Sequence, residues 1–319
     1  MLRLKEYCYR VRDDAYGGSV ELVEDGITAM ANEIQATEPE NIMTEIEGYV
    51  DRILAVTSPI LPLIHLLNRC MCFTEEYRIG AKPGEPMEAF LELLEEVRQE
   101  QRQCVEKIGK VGSRLISQGD KVATFSTSGS VMEILKHAAI EGKEITAAAF
   151  EARPNSEGYR TLQEISELGI PVTFGCDALL CKLVPGSKMF FIGADAISST
   201  GEVYAKTGSY LAALVCGEFG IPFYVAADTS KFDPLSLLGF PIKDSLRPAS
   251  EVTDMDVPEI SEVINISFEL IPAKLITGII TEKGLISPHA VGLMMKPEAM
   301  SPGMIQKLEE WRESCDKLI

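Results

Sequence analysis

Acidic and basic side chains follow two short apolar runs in the second half of the chain. Asp195 follows the run 189–192, and Lys231 follows the run 223–227. Each run is typical of a buried strand, and open parallel sheets bind ligands beyond the carboxyl ends of their strands. Between the runs, Lys206 precedes a helical pattern, and a lysine beside the amide groups of a helix start suits a phosphate. The segment therefore predicts a site for a phosphorylated small molecule.

A loop rich in hydroxyl groups lies between the first predicted strand and a helical pattern. Its polar residues and its glycine are Thr124, Ser126, Thr127, Ser128, Gly129 and Ser130. This composition is typical of a loop that holds a phosphate, although it matches neither the Walker motif nor GxGxxG. Serine and threonine also cap helices. Taken alone, the loop favours capping over phosphate binding.

Arg153 follows another predicted strand and could bind a phosphate through two parallel hydrogen bonds. Gly158, five residues later, could let the backbone approach the ligand closely. The alternative is that Arg153 pairs with Glu151 or Glu157 at the surface, and taken alone the two interpretations are even.

The order of apolar runs predicts how these loops are brought together. Strands are predicted at 121–125, 144–151, 170–175, 188–192, 222–227 and 275–281, and helices between them at 131–141, 159–168, 177–183 and 209–219. This alternation indicates an α/β fold with a mainly parallel sheet and helices on both faces. Residues before 118 have helical periodicity and predict a separate helical domain, 1–117. The loops that contain Ser126, Arg153, Asp195 and Lys231 should then meet at one edge of the sheet.

Composition limits the class of protein. The chain has 319 residues, of which 46% are hydrophobic, and a formal net charge of −18. We expect a cytoplasmic protein without a membrane partner, because no apolar run is long enough to span a bilayer. The negative charge disfavours direct binding of nucleic acid. The eight cysteines form no CxxC pair and the three histidines lie far apart, so we predict no metal site and no cofactor.

Four segments of the sequence resemble the initiation factor 2B family. They are FEARPNSEGYRT, GADAISSTGEVYAKTGSYLAAL, PFYVAADTSKFDP and LITGIITEKGLISP. The family contains the regulatory α, β and δ subunits of eukaryotic translation initiation factor 2B, together with isomerases of methylthioribose 1-phosphate and ribose 1,5-bisphosphate. The resemblance implies that residues 118–319 form a Rossmann-like domain for ligand binding and dimerisation, and that the chain forms a homodimer or a hexamer.

The resemblance also assigns roles to single residues. In the isomerases, a cysteine after the first strand and an aspartate in the GAD motif act as acid and base on the opened sugar. Asp195 matches the aspartate, whereas Ser126 stands at the cysteine position, and a hydroxyl has a much higher pKa than a thiol. Gly17 and Ser58 stand where the isomerases have arginines that hold a second phosphate. The regulatory subunits usually lack the aspartate that this chain keeps.

Three hypotheses follow. The leading one is a weakly catalytic or non-catalytic protein similar to the α-type subunits, which binds a phosphorylated sugar or nucleotide through Thr127, Ser128, Gly129, Ser130, Arg153, Gly158, Lys206 and Lys231. The alternative is an isomerase that converts an aldose phosphate to a ketose phosphate, with Asp195 as the base and Ser126 or a water as the acid. In the third, the acidic surface binds a protein partner. The irregular segment 236–272 has no assigned role.

Overall fold

The computed structural model of the chain describes residues 2–12, 18–56, 60–81, 84–239, 246–255, 261–295 and 300–316. It consists of two compact units, Met1–Arg102 with Lys296–Ile319, and Gln103–Met295. This division differs from the predicted boundary after residue 117. The last helix belongs with the amino-terminal helices because Ser301, just before it, donates backbone and hydroxyl hydrogen bonds to Asn68 and Glu75.

Each strand and helix predicted between residues 121 and 281 is present in the predicted order, together with further elements that were not predicted. The helices are α1 (Leu4–Arg12), α2 (Ser19–Ile34), α3 (Ile42–Leu54), α4 (Leu61–Arg78), α5 (Pro86–Ser113), α6 (Gly129–Ile140), α7 (Gly158–Glu167), α8 (Leu180–Leu183), α9 (Ser209–Phe219), α10 (Val291–Met294) and α11 (Pro302–Asp316). The strands are β1 (Lys121–Thr124), β2 (Thr146–Phe150), β3 (Val172–Gly175), β4 (Met189–Ile192), β5 (Ala196–Ile197), β6 (Val203–Lys206), β7 (Phe223–Ala226), β8 (Phe268–Ile271), β9 (Gly278–Thr281) and β10 (Gly284–Ile286). Over the described ranges, no helix combines the length and apolarity needed to cross a bilayer.

The first unit is a helical bundle. Its core is formed by aromatic and aliphatic side chains of α1 to α5, in which Phe73 of α4 packs against Phe90 of α5 with ring centroids 5.4 Å apart. Ion pairs surround this core, for example Arg98 to Glu24 at 2.6 Å. The helical region predicted at the amino terminus is therefore present.

The second unit contains a seven-stranded sheet in the order β10-β9-β7-β4-β1-β2-β3. All pairs are parallel except β10 with β9. Both faces are buried: Phe190 and Ile192 of β4 belong to one hydrophobic cluster and Phe191 to the other. The first cluster includes residues of α8, α9 and α10, and the second includes residues of α6 and α7. This arrangement confirms the predicted α/β fold, since strands buried on both faces read as continuous apolar runs.

A second, smaller sheet was not predicted. In it, β5, β6 and β8 pair antiparallel, with Tyr204 opposite Leu270. Its strands are only two to four residues long, and β8 comes from the segment 236–272 that the sequence left without a role. Because β5 begins directly after Asp195 and β6 ends at Lys206, this sheet positions two of the predicted site residues.

Candidate functional site

The site lies where the strand order of the large sheet reverses. After β1, the chain adds β2 and β3 on one side and β4, β7 and β9 on the other, so the crevice between the loops after β1 and β4 is the topological switch point. The two loops are in close contact, since a Cβ added to Gly193 would lie 2.6 Å from the Ser128 hydroxyl oxygen. Asp195 follows in the second loop, where its backbone NH donates to the Tyr204 carbonyl at 2.9 Å. Ser126 and Asp195 thus belong to neighbouring loops at one edge, as the sequence predicted.

Ser126 occupies a backbone conformation that is unusual for serine. Its φ of 61° lies in the left-handed region, which favours glycine. Two contacts define its orientation: the Thr161 hydroxyl donates to the Ser126 carbonyl at 2.7 Å, and the Ser126 hydroxyl donates to the Glu157 carboxylate at 2.6 Å. Strained residues of this kind cluster at functional sites, where the surrounding structure holds them in place.

The same Glu157 carboxylate forms an ion pair with a lysine. Its second oxygen, Oε1, lies 2.6 Å from Nζ of Lys206, whose side chain is only 12% exposed. The Lys206 ammonium group also lies over the ring of Phe268 in β8, 4.8 Å from the centroid. Ser126, Glu157 and Lys206 therefore form a continuous array of hydroxyl, carboxylate and ammonium groups.

Glu157 was not predicted from the sequence as a site residue, only as an alternative surface partner of Arg153. A sequence shows which residues are near in the chain, but not which loop they face. The available signal was its place directly before Gly158, at the start of the helix that follows β2.

The loop after β1 leads into the amino terminus of α6. Ser128 caps this helix, since its hydroxyl accepts from the Val131 amide at 3.4 Å, as the capping interpretation predicts. Ser130 is buried, Thr127 is half-buried, and Gly129 is exposed with no atom within 4 Å of a Cβ added there. The space beside Gly129 is therefore open at the positive end of the helix dipole.

Arg153 lies at the same edge, but its guanidinium group has internal partners. It donates to the carbonyls of Pro154 at 2.9 Å and Val252 at 3.0 Å. Gly158 permits a close approach between protein segments, since an added Cβ would lie 1.7 Å from the Phe150 carbonyl oxygen. The predicted reason for this glycine was an approach to the ligand, whereas the structure shows an approach of α7 to the end of β2.

The start of α9 and the side chain of Lys231, which were also expected to bind phosphate, have hydrogen-bond partners within the protein. The amide groups of Gly208 and Tyr210 at the start of α9 donate to the Glu269 carboxylate at 2.6 and 2.8 Å, so a carboxylate of the protein stands where the sequence placed a phosphate. Lys231 is buried and its ammonium group donates to the Ala194 carbonyl at 2.5 Å, which fixes the residue before Asp195.

The segment 246–255 adds a carboxylate to the surroundings of Lys206. Burial of Glu251 opposes its ionisation, but hydrogen bonds from Arg247 and Asn265 and the nearby charges of Arg247 and Lys206 outweigh that effect and lower its pKa. Across the described ranges, no three His, Cys, Asp or Glu side chains are grouped to hold a metal ion. Gly17 and Ser58, which stand at the expected arginine positions, lie outside the described residues.

This chain is similar in sequence to sugar-phosphate isomerases and similar in fold to a translation factor. The ribose 1,5-bisphosphate isomerase of Methanocaldococcus jannaschii is 34% identical over 211 residues, which are 66% of this chain and 68% of that protein. The methylthioribose-1-phosphate isomerase of Maridesulfovibrio salexigens is 36% identical over 237 residues, 67% of this chain and 68% of that protein. The crystal structure of the translation initiation factor eIF-2B of Pyrococcus horikoshii superposes with a TM-score of 0.75 at 24% identity, covering 89% of this chain and 97% of that one.

The model of the initiation factor 2 subunit family matches residues 18–288, which include every strand of the large sheet and both loops of the switch point. This match covers most of the chain and shows that the chain belongs to the initiation factor 2 subunit family.

Proposed function

We propose that this protein binds a phosphorylated sugar at the switch point and isomerises it from an aldose to a ketose. The observation that carries the proposal is the position of two proton-transfer groups, each in the loop after one of two adjacent strands. Asp195 follows β4, and Ser126 follows β1 with its hydroxyl bonded to the Glu157 carboxylate. A hydroxyl that lacks the acidity of a thiol exchanges protons more readily when a carboxylate holds it.

The phosphate of the ligand has one open position in this arrangement. The amino terminus of α6 presents amide groups beside the unoccupied space at Gly129, and such helix ends bind phosphates. Arg153 and Lys231 remain proposed phosphate ligands, each of which would first exchange a partner within the protein. The sugar carbons would then lie towards Asp195 and Ser126.

Incubation with ribose 1,5-bisphosphate and with methylthioribose 1-phosphate tests the proposal. We expect the ketose product to appear in the NMR spectrum of one of them. Asp195→Asn should abolish its formation, and Asp51→Asn, at a residue of the helical unit that pairs with Lys307, should not. Absence of turnover by the unmodified protein with both compounds would exclude the isomerase function for these substrates.

A second candidate is the weakly catalytic or non-catalytic ligand-binding protein, similar to the α-type regulatory subunits. The observation that favours it is that the cations expected to bind phosphate are engaged internally, in addition to the serine in place of a thiol. Thermal shifts with phosphorylated sugars and nucleotides test it, since a ligand at 100 times its Kd adds about 2.7 kcal/mol to the free energy of unfolding. Stabilisation without turnover would support this candidate, and stabilisation by none of the compounds would exclude ligand binding.

Assembly and location belong to the same proposal. We propose a cytoplasmic homodimer or hexamer formed through residues 118–319, with a further protein partner in the regulatory case. Light scattering after size-exclusion chromatography would measure the mass, and a monomer of 35.0 kDa at micromolar concentration would contradict the assembly.

A further inference from the structure

Glu157 uses its two carboxylate oxygens for two different partners. Oε2 accepts from the Ser126 hydroxyl at 2.6 Å, and Oε1 pairs with the Lys206 ammonium group at 2.6 Å. The three side chains are largely shielded from solvent: Ser126 is 7% exposed, and the side chains of Lys206 and Glu157 are 12% and 24% exposed. At this burial the ion pair is screened by solvent less than a pair of fully exposed side chains.

The array resembles the general arrangement of an activated hydroxyl. A serine hydroxyl transfers protons poorly alone, and an adjacent base that is itself oriented by a third group makes it effective. Here the adjacent base is Glu157, and the orienting group is Lys206, which the Phe268 ring holds from the other side. Ser126 itself lies in the loop after β1, with its φ angle in the left-handed region.

We propose that Glu157 is a positioning residue that lets Ser126 carry a proton between two oxygen atoms of the sugar. The inference rests on the isomerase function proposed above. It assigns Glu157 the task of compensating for the absent thiol, and it assigns Lys206 the task of holding Glu157 rather than of binding phosphate.

The proton balance of the reaction requires two carriers. In ribose 1,5-bisphosphate and methylthioribose 1-phosphate O1 carries the phosphate, so conversion to the ketose breaks the ring bond between C1 and O4, moves one proton from C2 to C1 and moves one from the O2 hydroxyl to O4. Ser126 takes the O2 proton while its own passes to Glu157, and Asp195 takes the C2 proton as the C1–C2 double bond forms and the C1–O4 bond breaks. The reverse transfer through Ser126 delivers a proton to O4, and Asp195 returns its proton to C1, which leaves the carbonyl group at C2. The enzyme ends in the state in which it began.

An ion pair that only stabilises the fold would explain the same contacts, but it would not depend on the residue at position 126. This difference defines the experiment. Four proteins are compared: the unmodified chain, Glu157→Gln, Ser126→Cys and the double variant. Glu164→Gln is the matched control, because Glu164 lies on the same helix and pairs with Arg160.

Turnover of ribose 1,5-bisphosphate and of methylthioribose 1-phosphate is measured by NMR, with circular dichroism as the check of folding. In the serine background we expect Glu157→Gln to lower kcat about 100-fold or more with little change in KM, which is the usual size of acid–base effects. In the cysteine background the same substitution should lower kcat less than about 10-fold, since a thiol transfers the proton without help. Glu164→Gln should leave kcat unchanged.

Each remaining outcome overturns the inference. Equal losses in the two backgrounds would show a purely structural role for Glu157. An unchanged kcat in Glu157→Gln, with turnover by the unmodified chain, would refute the inference and leave the isomerase function standing. No turnover by the unmodified chain would refute the isomerase function and this inference together.

Discussion

Replacing Gly158 with alanine tests how closely α7 approaches the end of β2. The added Cβ would lie 1.7 Å from the Phe150 carbonyl oxygen, 2.7 Å from its carbonyl carbon and 2.9 Å from that of Glu151. All three atoms are backbone, so no side-chain rotation relieves the clash, and the strand end and the helix start must separate. Overpacking costs typically 1–3 kcal/mol, and a backbone clash of this size belongs at the upper end, about 3 kcal/mol.

Urea unfolding followed by circular dichroism measures this loss. For a unit of about 200 residues, 3 kcal/mol corresponds to a decrease in Tm of roughly 6–12 °C. Gly129→Ala is the matched control, because Gly129 also begins a helix after a strand, and its added Cβ meets no atom within 4 Å. We expect the control to stay within about 1 kcal/mol of the unmodified chain. A Gly158→Ala protein that unfolds at the unmodified midpoint would refute the packing argument, and with it the account of why glycine stands beside Glu157.

Three further predictions concern the sheet unit. Glu269→Ala should lower the free energy of unfolding by about 2 kcal/mol in urea, because two amide groups at the start of α9 lose a charged acceptor, and Glu269→Gln should lose less. Burial raises the pKa of the Cys216 thiol to about 12. Iodoacetamide at pH 8 should therefore label the exposed Cys176 well before the buried Cys216, as mass spectrometry would show. The pKa of Glu251 is lowered from its usual value of 4.5, so the ionised carboxylate stabilises the folded protein. This stabilisation is present at pH values above the usual pKa, and it is lost as the pH falls through the lowered pKa. Glu251→Gln should therefore destabilise the protein at pH 7, and the difference should disappear in acid.

The large sheet was predictable because its central strands, such as β4 and β9, are buried on both faces. The runs that became β1, β2, β3, β4, β7 and β9 are mostly apolar, and their alternation with helices leaves few possible topologies. The strands β5, β6 and β8 were missed for another reason. β5 has only two residues, and β6 pairs with β8 more than sixty residues away, with Lys206 opposite Phe268.

The partners of the charged residues were less predictable than their positions. In the segment 246–255, the carbonyl of Val252 accepts a hydrogen bond from Arg153. In the segment 261–271, the carboxylate of Glu269 accepts a hydrogen bond from the start of α9. Such contacts depend on where a long irregular segment returns, which periodicity does not encode. A sequence can therefore predict that positively charged side chains lie at one edge of a sheet, but it does not predict which of them a ligand can contact.

These partners bear on where a phosphate would bind. Glu269 already neutralises the positive end of α9, and Glu157 pairs with Lys206, so a dianionic phosphate at either place would meet a carboxylate of the same charge. At Gly129 the start of α6 offers amide groups and open space. With the phosphate there, the polar end of the sugar would face Ser126 and Glu157, whose oxygens accept hydrogen bonds from sugar hydroxyls. The charge distribution thus favours one orientation of the ligand, the one in which Ser126 can transfer a proton between two oxygens of the sugar.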